Sequence, residues 1–274
     1  MMDYITNNIN TDIVYGFEAE KTFHSEIIIE HHVLVRILSG EMRIVQAEQT
    51  YMFVAGDTFL LPRNLPAAVI KYPKDGRPYK AVSINLRSDR LQDYYRRHAF
   101  KSSKPYHPKI KIFDKHLLLE SLFASIPPYI EMDEVLPGNI VSVKVEEAIS
   151  ILRNIDESID AVLAYFEEPG KLNLAEFMEK NFMFNMNSEK FGYLTGRSLT
   201  TFKRDFKKAF NTSPQKWLTQ KRLGLAHYQL SENKCKPIDV YFEVGFENLS
   251  HFSYAFKKQF GYPPNALVEK IARI

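Results

Sequence analysis

Two stretches of the chain, 50 residues apart, carry the same residue types at the same helical spacing. Residues 200–210 and 250–260 each hold phenylalanine at i, i+4 and i+8 and a Lys-Lys pair near the end. The matching pairs are Phe202 with Phe252, Phe206 with Phe256, Phe210 with Phe260, Lys207 with Lys257, and Lys208 with Lys258. A repeat of this period indicates a duplicated supersecondary unit. The phenylalanine stripe should face a core and leave the polar side chains outside.

The outward side chains of both helices suit a polyanion. Lys and Arg neutralise phosphates and release counterions, and an Arg one turn into a helix can bind guanine through two hydrogen bonds. The outward residues are Thr200, Arg204, Lys207 and Lys208 in the first copy, with Lys203 at the margin, and Ser250, Tyr254, Lys257 and Lys258 in the second. An ordinary solvated face is the alternative for the lysines alone, and the duplication argues against it.

The residues that flank the two helices also match. Ser198 and Asn248 are the predicted N-caps. Each helix is followed by a residue type that accepts the left-handed C-cap conformation, Asn211 or Gly261. A turn glycine precedes each N-cap, at position 196 or 245. A helix, a glycine turn and a second helix form the helix-turn-helix pattern, which the chain therefore contains twice.

Charge is distributed unevenly along the chain. Residues 171–274 hold 17 Lys and Arg against nine Asp and Glu, whereas residues 1–170 hold 19 against 24. This asymmetry indicates that one half of the protein meets a polyanion.

The single cysteine, Cys235, excludes an internal disulfide, and we find neither a signal peptide nor a run of about 18 apolar residues. We therefore expect a cytoplasmic protein without a membrane span.

Three regions position these helices. Residues 13–86 read as short strands separated by turn signals, which favours a small β-sandwich or barrel. Residues 87–168 carry helical apolar spacing, as in the stripe Val145, Ile149, Leu152 and Ile155. Glu167 to Gly170 breaks the helical pattern, and everything from Lys171 onward reads as helix.

Residues 171–269, about a third of the chain, resemble the DNA-binding domain of the AraC/XylS family. The matching residues are Leu174, Ala175, Ser198 through Lys208, Ser213 through Leu218, Arg222, Leu223, Ala226, Leu230, Gly245, Phe246, Phe252, Ala255 through Gly261, Pro263 and Pro264. The resemblance implies two three-helix subdomains joined by a long helix from Pro214 to Leu230, with both recognition helices in successive major grooves.

Site residues follow from the resemblance position by position. Base-edge candidates are Thr200, Lys203 and Arg204 in the first unit and Leu249, Ser250, Ser253 and Tyr254 in the second. Phosphate candidates are Lys207, Lys208, Lys257 and Lys258. Arg222 matches a family arginine that we interpret as structural rather than DNA-contacting.

The second unit departs from the family pattern. Pro237 stands where the family usually has an aliphatic residue, and Tyr241 stands where it usually has alanine. Gly192 fills the equivalent small position in the first unit. Because a tyrosine crowds a helix crossing, the second unit should dock differently. It is also less basic at its base-reading positions, so we predict that the first unit supplies more of the sequence specificity.

The resemblance implies an α+β protein with an N-terminal cupin-like β-barrel, a helical extension and an all-α C-terminal domain with two helix-turn-helix units. The predicted boundaries are a β sensor domain at residues 1–90, a helical linker or dimerisation region at 91–168, and the DNA-binding domain at 169–274.

Cupins that bind metal use a His-x-His pair, but His31 and His32 are adjacent and point to opposite faces of a strand. His24, Glu30 and His32 form the only remnant cluster, so we expect no metal or other cofactor.

The N-terminal half allows several interpretations. Val35, Ile37, Phe53, Phe59 and Ile84 could line a pocket for a small-molecule effector, or they could simply fill a core. The stripe on the middle helices could pair two subunits through residues 110–166, or it could pack against the chain's own strands.

We predict a sequence-specific regulator of transcription that binds double-stranded promoter DNA and works with RNA polymerase. Because members of the resembled family are most often activators, we expect an activator. The alternatives are control by a protein partner and a cupin-type enzyme fused to a helical tail.

Overall fold

The computed structural model describes residues 5–8, 12–18, 23–100, 109–131, 137–233 and 235–267. The chain divides into two compact units, Met1–Glu167 and Glu168–Ile274. The first unit contains strands and helices, and the described part of the second is helical. This bears out the predicted α+β class. No described helix is both long enough and apolar enough to cross a bilayer.

The strands of the first unit form two antiparallel sheets. The strands are β1 Ile5–Asn8, β2 Ile13–Glu18, β3 Phe23–Ile28, β4 His32–Ser39, β5 Glu41–Val45, β6 Thr50–Val54, β7 Thr58–Leu61, β8 Pro66–Tyr72, β9 Lys80–Leu86 and β10 Lys111–Phe113. One sheet has the order β1-β2-β9-β4-β7-β10, and the other has the order β3-β8-β5-β6. Among the described residues the strands form two sheets and no closed barrel, so of the two predicted arrangements the sandwich fits and the barrel is not confirmed. Apolar residues are buried between the two sheets and between the six-stranded sheet and the helices.

Strand β4 shows how the six-stranded sheet is buried on both faces. Val35 and Ile37 share a core with residues of the four-stranded sheet, whereas Leu34 belongs to a core that includes helical residues. Successive side chains of a strand point to opposite faces, so one strand supplies two cores. On the helical side, Arg36 donates to the Thr58 hydroxyl at 2.9 Å and pairs with Glu120 at 3.7 Å.

The helices of the first unit cover the outer face of the six-stranded sheet. They are α1 Ser88–Arg97, α2 Leu117–Ala124, α3 Pro127–Glu131, α4 Gly138–Ile155 and α5 Asp160–Leu163, with a 3₁₀ turn at Glu157–Ile159. Val145, Ile149 and Leu152 of α4 are at most 1% exposed, in the same core as Leu34 and Ile84. This stripe, which we offered as a subunit interface, therefore packs against the chain's own sheet, and Ile155 packs beside it.

The second unit consists of two groups of helices around a long one. The first group is α6 Leu174–Asn181, α7 Ser188–Leu194 and α8 Leu199–Phe210. The long helix is α9 Pro214–Ser231, close to the predicted bounds, and it leads to α10 Pro237–Glu243 and α11 Leu249–Phe260. We call α6–α8 the first subdomain and α10–α11 the second subdomain.

Candidate nucleic-acid interface

Helices α8 and α11 bury their phenylalanine stripes as the sequence predicts. Phe202 and Phe206 of α8 and Phe252 and Phe256 of α11 are all 0% exposed. The last phenylalanine of each helix is half-buried. Phe206 also contacts Trp217 of α9 with ring centroids 5.7 Å apart. With one face of each helix held in a core, the opposite face is turned to solvent.

Both helices begin and end at the predicted caps. The Ser198 hydroxyl accepts a hydrogen bond from the Thr201 N–H, and the Asn248 side chain accepts one from the His251 N–H at 2.8 Å. Each cap satisfies a donor that a helix N-terminus leaves free. At the other end, Asn211 and Gly261 adopt left-handed conformations with φ of 52° and 84°. The two copies therefore present segments of equal length.

Two glycines make the turns that precede these helices. Gly196 and Gly245 have φ of 65° and 91°. A Cβ at Gly196 would lie 2.6 Å from the carbonyl of Gly170, and one at Gly245 would lie 2.3 Å from the carbonyl oxygen of Met183. Both contacts are closer than any side chain tolerates, so each turn requires glycine for its conformation and for its space.

Most of the predicted base-reading residues lie on the exposed face. In α8 these are Thr200, Lys203 and Arg204, and in α11 they are Leu249, Ser250 and Tyr254. Ser253 is half-buried. The phosphate candidates Lys207, Lys208, Lys257 and Lys258 are all exposed in the last turns of the two helices. The fold therefore brings each predicted set together on its own helix.

Asp205 is a residue of this surface that the sequence analysis missed. Its carboxylate accepts from Arg197 Nε at 3.1 Å and from Arg204 Nη2 at 3.3 Å. The hydrogen bond from Arg197 is the largest influence that lowers the pKa of Asp205 below its usual value. Asp205 thus stays ionised and pairs with Arg204, one of the predicted base-reading residues. The acidic residue directly after Arg204 in an otherwise basic helix is the signal that could have revealed it.

The departures in the second subdomain have structural counterparts. In the first subdomain, a Cβ at Gly192 would lie 3.0 Å from the Arg197 carbonyl oxygen and 3.3 Å from Phe202 Cβ, so the α7–α8 crossing requires a small residue. Tyr241 occupies the matching position of α10 and is partly buried against the second core. Pro237 lies in the first turn of α10, where its missing N–H costs nothing.

The N-terminal pocket candidates divide between two cores. Val35, Ile37, Phe53 and Phe59 lie together between the sheets, where the rings of Phe53 and Phe59 stack with centroids 3.7 Å apart. Ile84 faces the helices on the other side of the six-stranded sheet. The packing of the four facing residues favours the interpretation that they fill a core.

The remnant metal cluster is described only in part, through His32 and Glu30. No group of three or more His, Cys, Asp or Glu side chains is placed to hold a metal among the described residues. His32 is buried, and its Nδ1 accepts a hydrogen bond from the backbone N–H of Arg63 at 3.2 Å. Glu30 is exposed, and the side chain of His24 lies outside the described part of the chain. The His32 ring therefore has a structural role, because it binds the backbone of the loop between β7 and β8.

Comparison with known proteins identifies both halves of the chain. Residues 32–158 match the family described as the ExsA N-terminal regulatory domain, and residues 194–270 match a helix-turn-helix domain. A regulatory domain followed by a helix-turn-helix domain defines a DNA-binding transcription regulator. The chain belongs to the AraC family of these regulators.

Relatives extend over nearly the whole chain. The virulence regulon transcriptional activator VirF of Yersinia enterocolitica is 24% identical over 259 residues, which cover 89% of this chain and 93% of VirF. The HTH-type transcriptional regulator ExsA of Pseudomonas aeruginosa is 24% identical over 251 residues, covering 89% and 88%. Because the relatives are regulators and not enzymes, the cupin-enzyme alternative is dropped.

Similar solved structures include an apo form of a ToxT variant from Vibrio cholerae. It aligns with 95% of this chain and 98% of its own at 11% identity, with a TM-score of 0.44. A probable AraC family transcriptional regulator from Rhodopseudomonas palustris aligns with 36% of this chain and 93% of its own at 28% identity, with a TM-score of 0.32.

Proposed function

We propose that this regulator activates transcription by binding promoter DNA sequence-specifically with both α8 and α11. The observation that carries the proposal is the duplicated helix, which has two fully buried phenylalanines, a side-chain N-cap, a left-handed C-cap and an exposed basic face in each copy. A single basic helix is common on protein surfaces. Two equivalent basic helices joined by one continuous helix are suited to two successive major grooves, because a DNA duplex presents a major groove once per turn.

Each set of exposed side chains has its own role in this proposal. Arg204, with Thr200 and Lys203, reads base edges of one groove, because an arginine there can bind guanine in bidentate fashion. Leu249, Ser250, Ser253 and Tyr254 read the next groove through hydroxyl and apolar contacts. The lysines at 207, 208, 257 and 258 contact phosphates, which contributes affinity without sequence preference.

The first subdomain supplies more of the specificity than the second. Two basic base readers, Lys203 and Arg204, lie on α8, and none lies at the corresponding positions of α11. The full chain is used to select a preferred duplex from a random library. Fluorescence anisotropy then gives affinities for that operator and for a scrambled duplex of equal length.

Arg204→Ala should weaken operator binding about 10- to 100-fold, since one good bidentate contact is worth roughly 1–3 kcal/mol. Scrambled DNA should lose much less affinity. Lys180→Ala, an exposed lysine of α6 that pairs with Glu176 at 3.2 Å, is the matched control and should change neither affinity. The proposal is wrong if Arg204→Ala weakens both duplexes equally while Tyr254→Ala weakens only the operator.

Activation is the sign of regulation that we propose, because the relative VirF is named a transcriptional activator. Transcription in vitro from a promoter that contains the selected operator, with purified RNA polymerase, measures it directly. Transcript yield should rise with added regulator and should not rise when Arg204→Ala replaces it. A fall in yield would identify a repressor.

The first unit regulates the second in this proposal, and it does so in the cytoplasm, where promoter DNA is found. Its two facing sheets support a cupin-like arrangement of the strands. We propose a small-molecule effector, with control by a protein partner as the alternative; because Val35, Ile37, Phe53 and Phe59 pack together, the core between the sheets is not favoured as the place where the effector binds. A homodimer through residues 110–166 would use faces other than the buried α4 stripe. Sedimentation velocity of the full chain would reveal it as a concentration-dependent increase in mass.

A further inference from the structure

Helix α9 is shared by both subdomains. Trp217 packs on the first through Phe206, and Leu223, Ala226 and Leu230 belong to the core of the second. A continuous helix sets the separation of the two subdomains along its axis, because each residue adds about 1.5 Å. It does not by itself fix how one is rotated about that axis relative to the other. Gly224, exposed near the middle, also makes the helix locally easier to deform.

Arg222 ties both subdomains to this helix. Its Nε donates to the carbonyl of Phe182 at 2.8 Å, and its Nη2 donates to the carbonyl of Phe184 at 2.7 Å. These two carbonyls lie between α6 and α7 of the first subdomain. Its Nη1 donates to the carbonyl of Gly245 at 2.9 Å, in the turn before α11. One buried guanidinium of α9 therefore bonds two backbone segments, residues 182–184 and Gly245, that are far apart in sequence.

One further hydrogen bond crosses between the subdomains at this level, from Asn185 Nδ2 to Glu247 Oε1 at 3.0 Å. The two backbones also approach closely here, because a Cβ added at Gly245 would lie only 2.3 Å from the Met183 carbonyl oxygen. Beside these contacts lies an open cleft, lined by residues of α7, α9 and the 245–247 turn. Because the cleft separates the subdomains there, their orientation depends strongly on the polar contacts at its floor.

We propose that Arg222 determines which spacing of half-sites the protein accepts, where a half-site is the block of bases read by α8 or by α11. This inference rests on the proposed function of these helices. One base pair inserted between the half-sites shifts one block by about 3.4 Å and rotates it by roughly 35°. Simultaneous engagement of both helices is lost when geometry forbids it, and the gain in affinity from two sites is lost with it.

Arginine suits this role better than lysine. The planar guanidinium presents donors in a fixed fork, so three carbonyls in three directions hold it in one orientation. A lysine ammonium at the end of a flexible stem can reach one or two of them and fixes no angle. Replacement by methionine keeps the apolar stem and removes every donor.

The experiment is an unbiased selection of random duplex DNA with the full-length protein, followed by sequencing. Wild type should enrich two base blocks at one spacing. Arg222→Met should enrich the same two blocks over several spacings. In direct titrations, insertion of one base pair should weaken wild-type binding at least ~10-fold and weaken binding by Arg222→Met less than ~3-fold.

Arg197→Met is the matched control. The Arg197 side chain is only 7% exposed, and it donates to the carbonyls of Leu172 and Thr195 and to Asp205, all within the first subdomain or the segment that leads into it. Its replacement should lower affinity at every spacing and leave the preferred spacing unchanged. If Arg222→Met does not fold, as judged by circular dichroism, Arg222→Lys and Asn185→Ala serve instead and should broaden the spacing less.

The outcomes separate the two proposals. If folded Arg222 variants keep a single spacing as sharp as wild type, the inference about Arg222 is overturned. If wild type enriches no sequence at all, the proposed function fails first. If Arg197→Met broadens the spacing as much as Arg222→Met, the effect is general destabilisation and the inference also fails.

Discussion

His32 and Arg63 are joined by a hydrogen bond from the backbone N–H of Arg63 to Nδ1 of His32, at 3.2 Å. The ring thereby anchors the loop between β7 and β8. From that loop the Arg63 guanidinium donates to the carbonyls of Tyr165 and Glu167, both at 2.8 Å. A histidine that sequence analysis placed near a remnant metal cluster thus holds a loop that fastens the end of the first unit.

This arrangement predicts how stability depends on pH. Burial, and then the charges of Arg63 and His31, lower the pKa of His32 from 6.5 to about 3. The unfolded chain binds a proton near pH 6.5 while the folded chain does not, so His32 makes folding less favourable as the pH falls below 6.5. By pH 5 the loss reaches about 2 kcal/mol.

His32→Asn supplies an acceptor oxygen near the position of Nδ1 and does not titrate. Urea unfolding followed by far-ultraviolet circular dichroism at pH 7 and pH 5 should show a smaller loss of stability for this variant than for wild type. Equal losses in the two proteins would contradict the assignment of His32 as a buried neutral ring.

The left-handed C-caps of α8 and α11 predict that substitutions at Asn211 and Gly261 change the stability of the second unit by different amounts. A Cβ at Gly261 would meet no atom within 4 Å, so Gly261→Ala tests the left-handed backbone alone and should cost about 1–2 kcal/mol. Asn211→Gly should change stability by less than about 0.5 kcal/mol, because asparagine already tolerates this conformation. Trp217, the single tryptophan, lies in the second unit, so its fluorescence reports both variants in urea. Equal changes in stability for the two variants would show that the left-handed backbone does not determine the cost of substitution at these caps.

The hydrogen bonds of Asp160 predict that its substitution causes a large loss of stability in the first unit. Its carboxylate accepts from Arg153 Nε at 2.8 Å, from Arg153 Nη2 at 3.1 Å and from the Tyr95 hydroxyl at 2.6 Å. Asp160→Asn leaves the arginine without its counter-charge among aromatic rings and should cost about 3 kcal/mol. Asp89→Asn, which removes the exposed partner of Arg87, should cost less than about 0.5 kcal/mol. Circular dichroism in urea measures both, and similar costs would refute a special role for the buried pair.

The lysine pairs predict the salt dependence of DNA binding. Lys207 and Lys257 are exposed at equivalent positions in the last turns of α8 and α11. Removing both should reduce the slope of log affinity against log salt concentration by about 2, since each phosphate contact contributes about 0.9. Anisotropy titrations at several salt concentrations measure the slope. The preferred sequence should stay the same, and a changed preference would assign these lysines to bases.

The features that sequence predicted well are local. The caps at Ser198 and Asn248, the buried phenylalanines and the left-handed Asn211 follow from helical periodicity and from the backbone preferences of single residues. The repeat made these predictions stronger, because two copies of one pattern must satisfy the same packing. The strand pattern left a sandwich or a barrel open, and the barrel was not confirmed, because strand alternation shows which side chains are buried and does not show which strand edges pair.

Sequence by itself therefore determined the two exposed basic helices, their limits and the family of regulators to which the chain belongs. Only the tertiary structure decided that the α4 stripe packs on the chain's own sheet and that Arg222 joins both subdomains. The physical reason is distance along the chain. Arg222 and Phe182 are 40 residues apart, and Arg63 and Tyr165 are 102 apart, so no local pattern records these hydrogen bonds. Such contacts form only when the completed fold brings a buried donor to a backbone carbonyl that is distant in sequence.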